Sequence, residues 1–349
     1  MHMSSPRPPQ VPPKCSVIVR AYNEAEHIGR LLHGLMQQDY PDFEVILVDS
    51  GSTDDTIFIA EAYGVKVVHI NKDEFSFGRA LNVGCRYAAG EIFVFVSAHV
   101  YPLYRSWLAR LVAPFSDPRV MLSYGKQRGN QINKFSEHQI FAKWFSEASS
   151  CPQSTHFCNN ANCAIRRLAW EAQLYDEILT GLEDLAWAKE TQRRGGLIAY
   201  VAEAPIVHVH DETYDRIRNR YRREAIAMRT IQPGMRFNFA DLIYFIVSNV
   251  LSDCVAAARE KRLLRELGSI VLFRFNQFYG TWRGHCGSCE VTADLRRRFY
   301  FPQSKEEREV SVSDVGREEL IDYTNPQAPA TKCMPKTREE RPSDFRKIS

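Results

Sequence analysis

Two short, strongly apolar runs near the start of the chain each end in small and polar residues. They cover residues 16–24 and 44–55. Such a pattern is typical of buried parallel strands that deliver polar side chains to the carboxyl edge of a sheet. Between them, residues 26–38 repeat apolar side chains at helical spacing, namely Ile28, Leu31, Leu32 and Leu35. The pattern therefore predicts a strand, helix, strand unit.

The same alternation continues to about residue 228. Further strands are predicted at 65–70, 92–97, 120–124 and 197–201, and helices at 54–62, 77–89, 106–114 and 182–194. Alternating strands and helices are typical of a mostly parallel sheet covered on both faces. The predicted fold class is therefore α/β.

Shifts in composition divide the chain into four parts. We expect a Pro-rich flexible lead at 1–14, without the apolar core of a secretory leader, and an α/β domain at 15–230. A helical C-terminal extension is expected at 231–298. The polar segment 299–349 is predicted to be a disordered tail.

The extension contains an apolar run at 240–253 that is barely long enough to cross a membrane. Because Asp241 and Asp253 interrupt it, we do not predict a transmembrane helix. A helix packed on the α/β domain is the simpler interpretation. The alternative is a helix at a membrane surface, since aromatic and Arg side chains follow closely.

Charge and cysteine content narrow the class of protein. The 349 residues carry a formal net charge of +3, and no basic run belongs to a nucleic-acid-binding motif, so we expect no nucleic-acid partner. The nine cysteines form no regular framework, which favours reduced thiols and a cytoplasmic location. Cys286 and Cys289 have redox-motif spacing without a second pair, so we expect a structural role for them.

Residues 22–24 (Tyr-Asn-Glu) and the Asp-rich turn from Asp49 to Asp55 follow the first two strands. In this respect the chain resembles the family 2 inverting glycosyltransferases of the GT-A fold, over residues 15–230. Segments 124–129, 157–162 and 165–168 resemble bacterial rhamnosyltransferase-type enzymes. The resemblance implies a GT-A nucleotide-sugar-binding domain that transfers a sugar from a nucleotide diphosphate to an acceptor hydroxyl.

The resemblance also implies a nucleotide and donor pocket at the strand ends. Its expected members are Arg20, Ala21, Tyr22, Glu24, Asp49, Arg79, Ser97 and Ala98. A carboxylate at Asp49 can accept a hydrogen bond from a pyrimidine N–H, and Tyr22 can flank the base. The alternatives are helix capping by Asp49 or Asp54, and a solvated helix charge at Arg79.

The fourth strand runs into Ser97-Ala98-His99, where the family has its metal-binding Asp-x-Asp motif. We expect His99 to hold a divalent metal, helped by His208 or His210, which point to one side of an extended segment. Imidazole ligands suit Mn²⁺ better than Mg²⁺. The alternative is that the histidine is structural.

Glu183 and Asp184 follow Gly181 at the start of a predicted helix and match the family's Glu-Asp motif. The resemblance implies that Asp184 is the general base and that Glu183 orients the acceptor. An alternative is that the pair only interacts with the helix dipole.

A sugar and acceptor pocket is expected from four further residues: Gln127, Asn159, Asn160 and Trp187. Hydrogen bonding within loops is the alternative for the amides. Phosphate contact by Arg222 or Arg223 and a solvated helix charge are equally compatible with the sequence.

The combined expectation is an inverting transferase for a surface polysaccharide or other glycoconjugate. It would use a nucleotide-sugar donor and a glycan or lipid-linked glycan acceptor, in the cytoplasm or at the inner face of the plasma membrane. The missing Asp-x-Asp keeps a non-catalytic nucleotide-sugar-binding protein open as the alternative. The pair Glu183 and Asp184 argues against it, because a binding protein has no need of a base.

Overall fold

The computed structural model describes residues 12–286, Tyr300 and residues 320–323. The N-terminal half contains β1 (Cys15–Ala21), α1 (Ala25–Met36), β2 (Phe43–Asp49), α2 (Thr56–Ala62), β3 (Lys66–His69), α3 (Phe77–Arg86), β4 (Ile92–Ser97), β5 (Val100–Pro102) and α4 (Trp107–Val112). The remainder contains β6 (Val120–Arg128), α5 (Phe135–Trp144), β7 (Asn162–Arg166), α6 (Arg167–Ala172), α7 (Glu183–Arg193), β8 (Leu197–His208), α8 (Tyr214–Ile231), α9 (Phe239–Arg259) and α10 (Leu263–Cys286). All the predicted strands and helices of the α/β domain are present.

One eight-stranded sheet runs through the domain in the order β3-β2-β1-β4-β7-β6-β8-β5. Four of its seven strand pairs are parallel, which confirms the predicted α/β class. The sequence analysis missed β5, β7, α5 and α6. Strand β7 is antiparallel to both its neighbours, and it has only five residues. Such a short run gives little periodicity to recognise.

The chain changes direction across the sheet at β1. It moves from β1 to β2 and β3 on one side, and returns to β4 on the other. The last residue of β1, Ala21, pairs with Asp49 on β2, and Arg20 pairs with Ser97 on β4. Ligands of open α/β sheets bind outside the carboxyl ends of the strands at such a point.

Apolar side chains are buried on both faces of the sheet. Val17 and Val19 of β1 face one hydrophobic cluster, which includes Leu31 of α1, while Ile18 faces a second that includes Phe95. This explains why the strands are apolar at nearly every position. The two-sided core holds the strands in a fixed register, and we call the space outside the carboxyl ends of β1, β2 and β4 the crevice.

The C-terminal extension is helical, as predicted, and α10 packs closely along α8. A Cβ atom at Gly280 would lie 2.3 Å from the carbonyl oxygen of Arg218, and one at Gly284 would lie 2.6 Å from that of Arg222. Helix α9 does not match the simpler interpretation of a helix packed on the domain. Most of its side chains are exposed, and its buried residues are Leu242, Asp253 and Ala257.

Five residues of the predicted polar tail are described, and they are packed on the domain. Tyr300 contacts the rings of Phe75 and Phe77. The backbone of Ile321 donates a hydrogen bond to Leu103, and the hydroxyl of Tyr323 donates one to Pro102. The rest of this tail, residues 1–11 and Cys289 lie outside the described residues, so the division into four parts stays a prediction.

Candidate active site

The ends of β1 and β2 are joined by a network of side-chain hydrogen bonds. Asn23 has a left-handed backbone (φ 52°), and its side-chain oxygen accepts from the amide of Thr53 at 2.8 Å. Asp54 accepts from the amides of Ala25 and Thr56 at 3.0 and 3.1 Å. Short polar side chains of this kind stabilise turns locally. Asp54 therefore has the structural role that the capping alternative described.

Asp49 is buried at the end of β2, below the crevice. Its carboxylate accepts hydrogen bonds from the amides of Gly51 at 3.0 Å and Ser52 at 3.2 Å, and it lies 3.4 Å from the Nδ1 of His69. These contacts hold the turn after β2, not the start of α2. Nucleotide contact by Asp49 stays a prediction.

Tyr22 and Lys72 form a pair at the rim of the crevice. The ammonium group of Lys72 lies 4.6 Å from the centroid of the Tyr22 ring and donates to the Tyr22 hydroxyl at 2.5 Å. The sequence analysis predicted that Tyr22 flanks the base, but it did not identify Lys72 as a member of the site. The lysine brings a positive charge to the predicted base and phosphate region.

The guanidinium group of Arg79 is already engaged by acidic side chains. It forms ion pairs with Glu74 at 3.1 Å and Glu177 at 3.4 Å and is partly exposed. Its amide is capped by the hydroxyl of Ser76 at the start of α3. These contacts favour the surface-charge alternative over the predicted phosphate contact.

Helix α7 places the predicted catalytic carboxylates at its first turn. Leu182 adopts a left-handed conformation (φ 56°) immediately before the helix. Glu183 is buried and forms an ion pair with Arg20 at 3.2 Å, while the side-chain amide of Asn160 approaches the same oxygen at 3.4 Å. The salt bridge ties α7 to the carboxyl end of β1.

Asp184 keeps some exposure to solvent. Its carboxylate accepts hydrogen bonds from the amides of Asn160 at 3.1 Å and Leu185 at 2.8 Å. Burial, followed by the negative charge of Glu183, raises its pKa to about 7, although the two amides and Arg20 oppose the shift. A carboxylate with a pKa close to neutrality suits proton abstraction.

Two guanidinium groups lie against the ring of Phe77 beside this carboxylate pair. The central carbons of Arg20 and Arg223 lie 4.9 and 4.6 Å from the ring centroid. Burial lowers the pKa of Arg223, which nevertheless stays cationic because arginine titrates far above neutrality. The structure thus brings Arg223 to the same region as Arg20, which the sequence had placed in the donor pocket.

Three histidines converge at the ends of β4 and β8. The rings of His99 and His208 stack at 5.1 Å, and one ring nitrogen from each of His99, His208 and His210 lies within 4.8 Å of the others. The Nε2 atoms of His208 and His210 are 3.0 Å apart. The structure therefore brings together the three predicted metal ligands.

The Nδ1 atom of each histidine lies within hydrogen-bonding distance of a different side-chain oxygen. Glu24 lies 2.8 Å from His99, Gln127 lies 2.8 Å from His208, and Glu137 lies 2.7 Å from His210. If each Nδ1 carries the proton and donates to its oxygen, the Nε2 lone pairs of His208 and His210 face each other. Two facing lone pairs repel each other unless both bind a cation. Hydrogen bonds from the Nδ1 atoms to outer oxygens are common for histidines that bind metals through Nε2.

The electrostatics of the three rings differ. Burial, followed by the neighbouring His210 and His99, lowers the pKa of His208 well below its usual range. Burial also lowers the pKa of His99, but the Glu24 carboxylate outweighs it and the net shift is upward. His208 is therefore neutral at physiological pH, as a metal ligand must be.

Several residues predicted for the sugar pocket support the site from beneath. Trp187 is 2% exposed, and its indole N–H donates to the carbonyl of Gln173 at 2.6 Å, so the expectation that it lines an open pocket is corrected. Gln127 is equally buried and holds His208. Asn160 holds both carboxylates, and Asn159 accepts from the amide of Ala161, as the loop alternative described.

Ser97, Ala21 and Ala98 lie at the strand ends as predicted, with both alanines buried. Sequence reasoning missed Glu137, which lies on α5 beside Arg220 as well as His210. No sequence signal marks Glu137, because it lies 73 residues before its histidine partner, in a helix that the sequence pattern did not predict.

Residues 16–172 match the protein family described as "Glycosyl transferase family 2". The chain therefore contains a family 2 glycosyltransferase domain, which confirms the resemblance found in the sequence. The fold agrees with a solved structure titled "Mannosyltransferase PcManGT from Pyrobaculum calidifontis in complex with GDP-Man and Mn2+". That likeness has a TM-score of 0.53 and 19% identity, and it covers 84% of this chain and 88% of the other. It shows a shared GT-A architecture.

Two curated relatives extend the comparison. The chain is 39% identical over 94 residues to the poly(ribitol-phosphate) beta-N-acetylglucosaminyltransferase TarS of Staphylococcus aureus, which is 25% of this chain and 16% of TarS. It is 25% identical over 213 residues to the O-antigen chain rhamnosyltransferase RfbN of Salmonella typhimurium, covering 57% of this chain and 68% of RfbN. The match to TarS thus spans about a sixth of that relative.

Proposed function

We propose that this protein transfers a sugar from a nucleotide-diphosphate donor to a hydroxyl of a glycan acceptor, with inversion at the anomeric carbon, in cell-surface glycan synthesis. The main support is Asp184, whose carboxyl group at the start of α7 has a pKa raised to about 7 by burial and by Glu183. The named relatives act on cell-surface polymers, which supports this choice of acceptor class.

In the proposed reaction Asp184 takes the proton of the acceptor hydroxyl. The acceptor oxygen forms a bond to the anomeric carbon as the bond from that carbon to the diphosphate oxygen breaks. The nucleoside diphosphate leaves with the electron pair. A positioned base of this kind contributes a factor of roughly 10² to 10⁴ in rate.

Neighbouring groups prepare Asp184 for this step. The amides of Asn160 and Leu185 fix the direction of its carboxylate. Glu183, held by its ion pair with Arg20, places a negative charge beside Asp184 that raises the pKa of Asp184, and Arg20 only partly opposes this effect. Arg20, Arg223 and Lys72 bring positive charge to this region and can attract a diphosphate.

We further propose that His99, His208 and His210 hold a divalent transition-metal ion. Three convergent imidazoles, each oriented by an outer oxygen, fit Mn²⁺ better than Mg²⁺, which prefers oxygen ligands. When bound, such an ion supplies positive charge to the leaving diphosphate. Glu24, Gln127 and Glu137 hold the rings in place for it.

The alternative is a protein that binds a nucleotide sugar without transferring it, since the Asp-x-Asp motif is missing. The raised pKa of Asp184 favours the enzyme, because a purely binding site gains nothing from a carboxylate close to its neutral form. We propose the cytoplasm as the location, with the inner face of the plasma membrane as the place where a lipid-linked acceptor is met.

A panel of nucleotide sugars, with and without Mn²⁺, tests the proposal. Release of nucleoside diphosphate from one donor, dependent on an acceptor and abolished in Asp184→Asn, is the expected result. Glu190→Gln on the exposed side of the same helix is the matched control and should keep full activity. Nucleotide-sugar binding without release across the panel would establish the binding protein instead.

A further inference from the structure

The hairpin formed by α9 and α10 exposes many apolar residues, and it buries several polar ones beside the apolar Ile270 and Phe273, which is unusual for helices that face water. In α10 the buried side carries Arg274, Asn276 and Gln277, while Val271 and Phe275 are exposed. Water-facing helices bury apolar residues and expose polar ones. This arrangement indicates that the outer side of the hairpin faces an apolar environment.

The exposed apolar residues follow helical spacing, so they form continuous stripes. On α9 these include Tyr244, Leu251 and Val255, and on α10 Leu264, Val271 and Phe275. Leu264 is 95% exposed and Leu251 is 60% exposed. Scattered exposed apolar residues are normal, but contiguous patches of this kind mark interaction surfaces.

An ion pair holds the two helices together beneath these stripes. The guanidinium group of Arg274 donates to both oxygens of Asp253 at 2.7 and 2.9 Å, and to Gln277 at 2.8 Å. Each buried charge is thus fully partnered within the hairpin. The outer surface can therefore be apolar without leaving a charge exposed to hydrocarbon.

Among the described residues, α9 is the helix with the length and composition needed to cross a membrane. Its partner in the hairpin, helix α10, is packed on the domain, which makes a membrane-spanning position of α9 unsuitable. Helix α10 packs lengthwise on α8, with Gly280 against Arg218 and Gly284 against Arg222. A hairpin fixed along an arginine-rich helix of the domain fits a position in the plane of a membrane surface.

Charge decides between a membrane and a second copy of the chain. Apart from the buried ion pair, residues 232–286 carry three acidic side chains and six basic ones, which are Arg236, Arg259, Lys261, Arg262, Arg265 and Arg283. A symmetric dimer would bring like-charged rims together. The basic rim instead complements anionic lipid headgroups.

We propose that the exposed face of the α9–α10 hairpin binds the surface of an anionic lipid bilayer. The apolar stripes enter the boundary between headgroups and acyl chains, and the basic residues at both ends of the hairpin contact the headgroups. The surface deepens the proposed function, because it would bring the protein to a lipid-linked acceptor. It does not depend on catalysis and can be tested without a donor.

Flotation with vesicles measures this binding directly. The whole protein should float with vesicles of phosphatidylcholine mixed with phosphatidylglycerol, and much less with phosphatidylcholine alone. Leu251→Asp combined with Val271→Asp should weaken binding on the order of 100-fold, because buried methylene groups are lost on both stripes. The matched control is Phe58→Asp on α2, where the side chain is 75% exposed, and its binding should be unchanged.

A second pair of variants tests the charges. Arg259→Gln combined with Arg265→Gln should weaken binding to the anionic vesicles roughly 30-fold, since each basic residue contributes about a factor of five. Binding to neutral vesicles should not change. An equal effect on both kinds of vesicle would overturn the electrostatic part of the proposal.

Light scattering of the same proteins measures their oligomeric state, which distinguishes a lipid bilayer from a second copy of the chain. If the wild type does not bind vesicles, the proposal is wrong, and a dimer that Leu251→Asp dissociates would identify a second copy as the occupant. Vesicle binding that survives the double apolar substitution would also overturn it. Diphosphate release is recorded separately, so a vesicle-binding protein without turnover would contradict only the proposed function.

Discussion

At the scale of single residues, Asp184 shows how position sets chemistry. The same carboxylate on an exposed helix would have a low pKa, but burial beside Glu183 raises it to about 7. Asn160 and Leu185 direct it through backbone amides.

We expect Asp184→Asn to lower turnover by about 10² to 10⁴, because the amide has the same shape but cannot take a proton. Binding of the nucleoside diphosphate should change little. Steady-state turnover and calorimetric nucleotide binding check both parts. A variant that keeps more than about a tenth of the activity would exclude Asp184 as the base.

The raised pKa of Asp184 also predicts how the protein responds to pH. Turnover should rise as the pH increases through about 7, since the base must be ionised. The contribution of Asp184 to the free energy of unfolding should instead fall as the pH increases. Because the folded state binds this proton more tightly than the unfolded state, the stabilisation is full below pH about 4 and is lost as the pH rises towards 7.

The pH profile of turnover and the melting temperature between pH 4 and 8 test this pair of effects. Asp184→Asn should flatten the stability profile above about pH 5.5, where Glu190→Gln should keep it, because hydrogen bonds from Arg193 and Arg194 lower the pKa of Glu190 to about 2. An unchanged profile in Asp184→Asn would assign the titration to another group.

The histidine cluster makes a prediction about metal choice. Wild-type protein should bind Mn²⁺ more tightly than Mg²⁺, and His99→Asp should shift the preference towards Mg²⁺ because a carboxylate is a harder ligand. Calorimetric titration with each metal measures the ratio directly. Identical preferences in the two proteins, or full activity in excess chelator, would remove His99 from the proposed metal site.

At the scale of secondary-structure elements, glycines set how closely the C-terminal helices pack. Gly280 lies directly against the backbone of α8, whereas a Cβ at Gly268 in the same helix would have no neighbour within 4 Å. The two positions thus provide a matched pair for testing the packing of α10.

Gly280→Ala should destabilise the protein by about 1–3 kcal/mol, since the added carbon meets a carbonyl oxygen that cannot move independently. Gly268→Ala should instead stabilise it by about 0.5–1 kcal/mol, because alanine favours the helix. Urea unfolding of both variants gives the two free energies. Equal effects would mean that α10 does not pack on α8 as described.

At the scale of the whole molecule, the site is assembled from distant segments. Arg20 at the end of β1 contacts Glu183 at the start of α7, 163 residues later in the chain. Both side chains are largely buried, so removing either one leaves the other without its ion-pair partner.

Arg20→Met should therefore destabilise the fold by about 3–5 kcal/mol, because it leaves Glu183 buried without its partner. Adding Glu183→Gln should restore part of this loss. Urea unfolding of the two single variants and the double variant measures the coupling. Additive free energies would show that the ion pair does not hold α7 to β1.

The sequence by itself determined the α/β class, the order of most elements and the segments that we propose carry the chemistry. Local periodicity and the residues at strand ends are properties of short stretches, and they are legible without a structure. The resemblance to a known family singled out residues 183–184, His99, His208 and His210, whose roles stay predictions. Strand β7 was not recognisable, because five residues show too little periodicity.

Tertiary structure alone decided which side chains meet. Trp187 became part of the core and Gln127 the support for His208, while Glu137 joined the histidines from another helix. It also left the apolar faces of α9 and α10 exposed. These outcomes depend on contacts between residues far apart in the chain, where burial, partner charges and packing are set by the assembled fold and not by the local sequence.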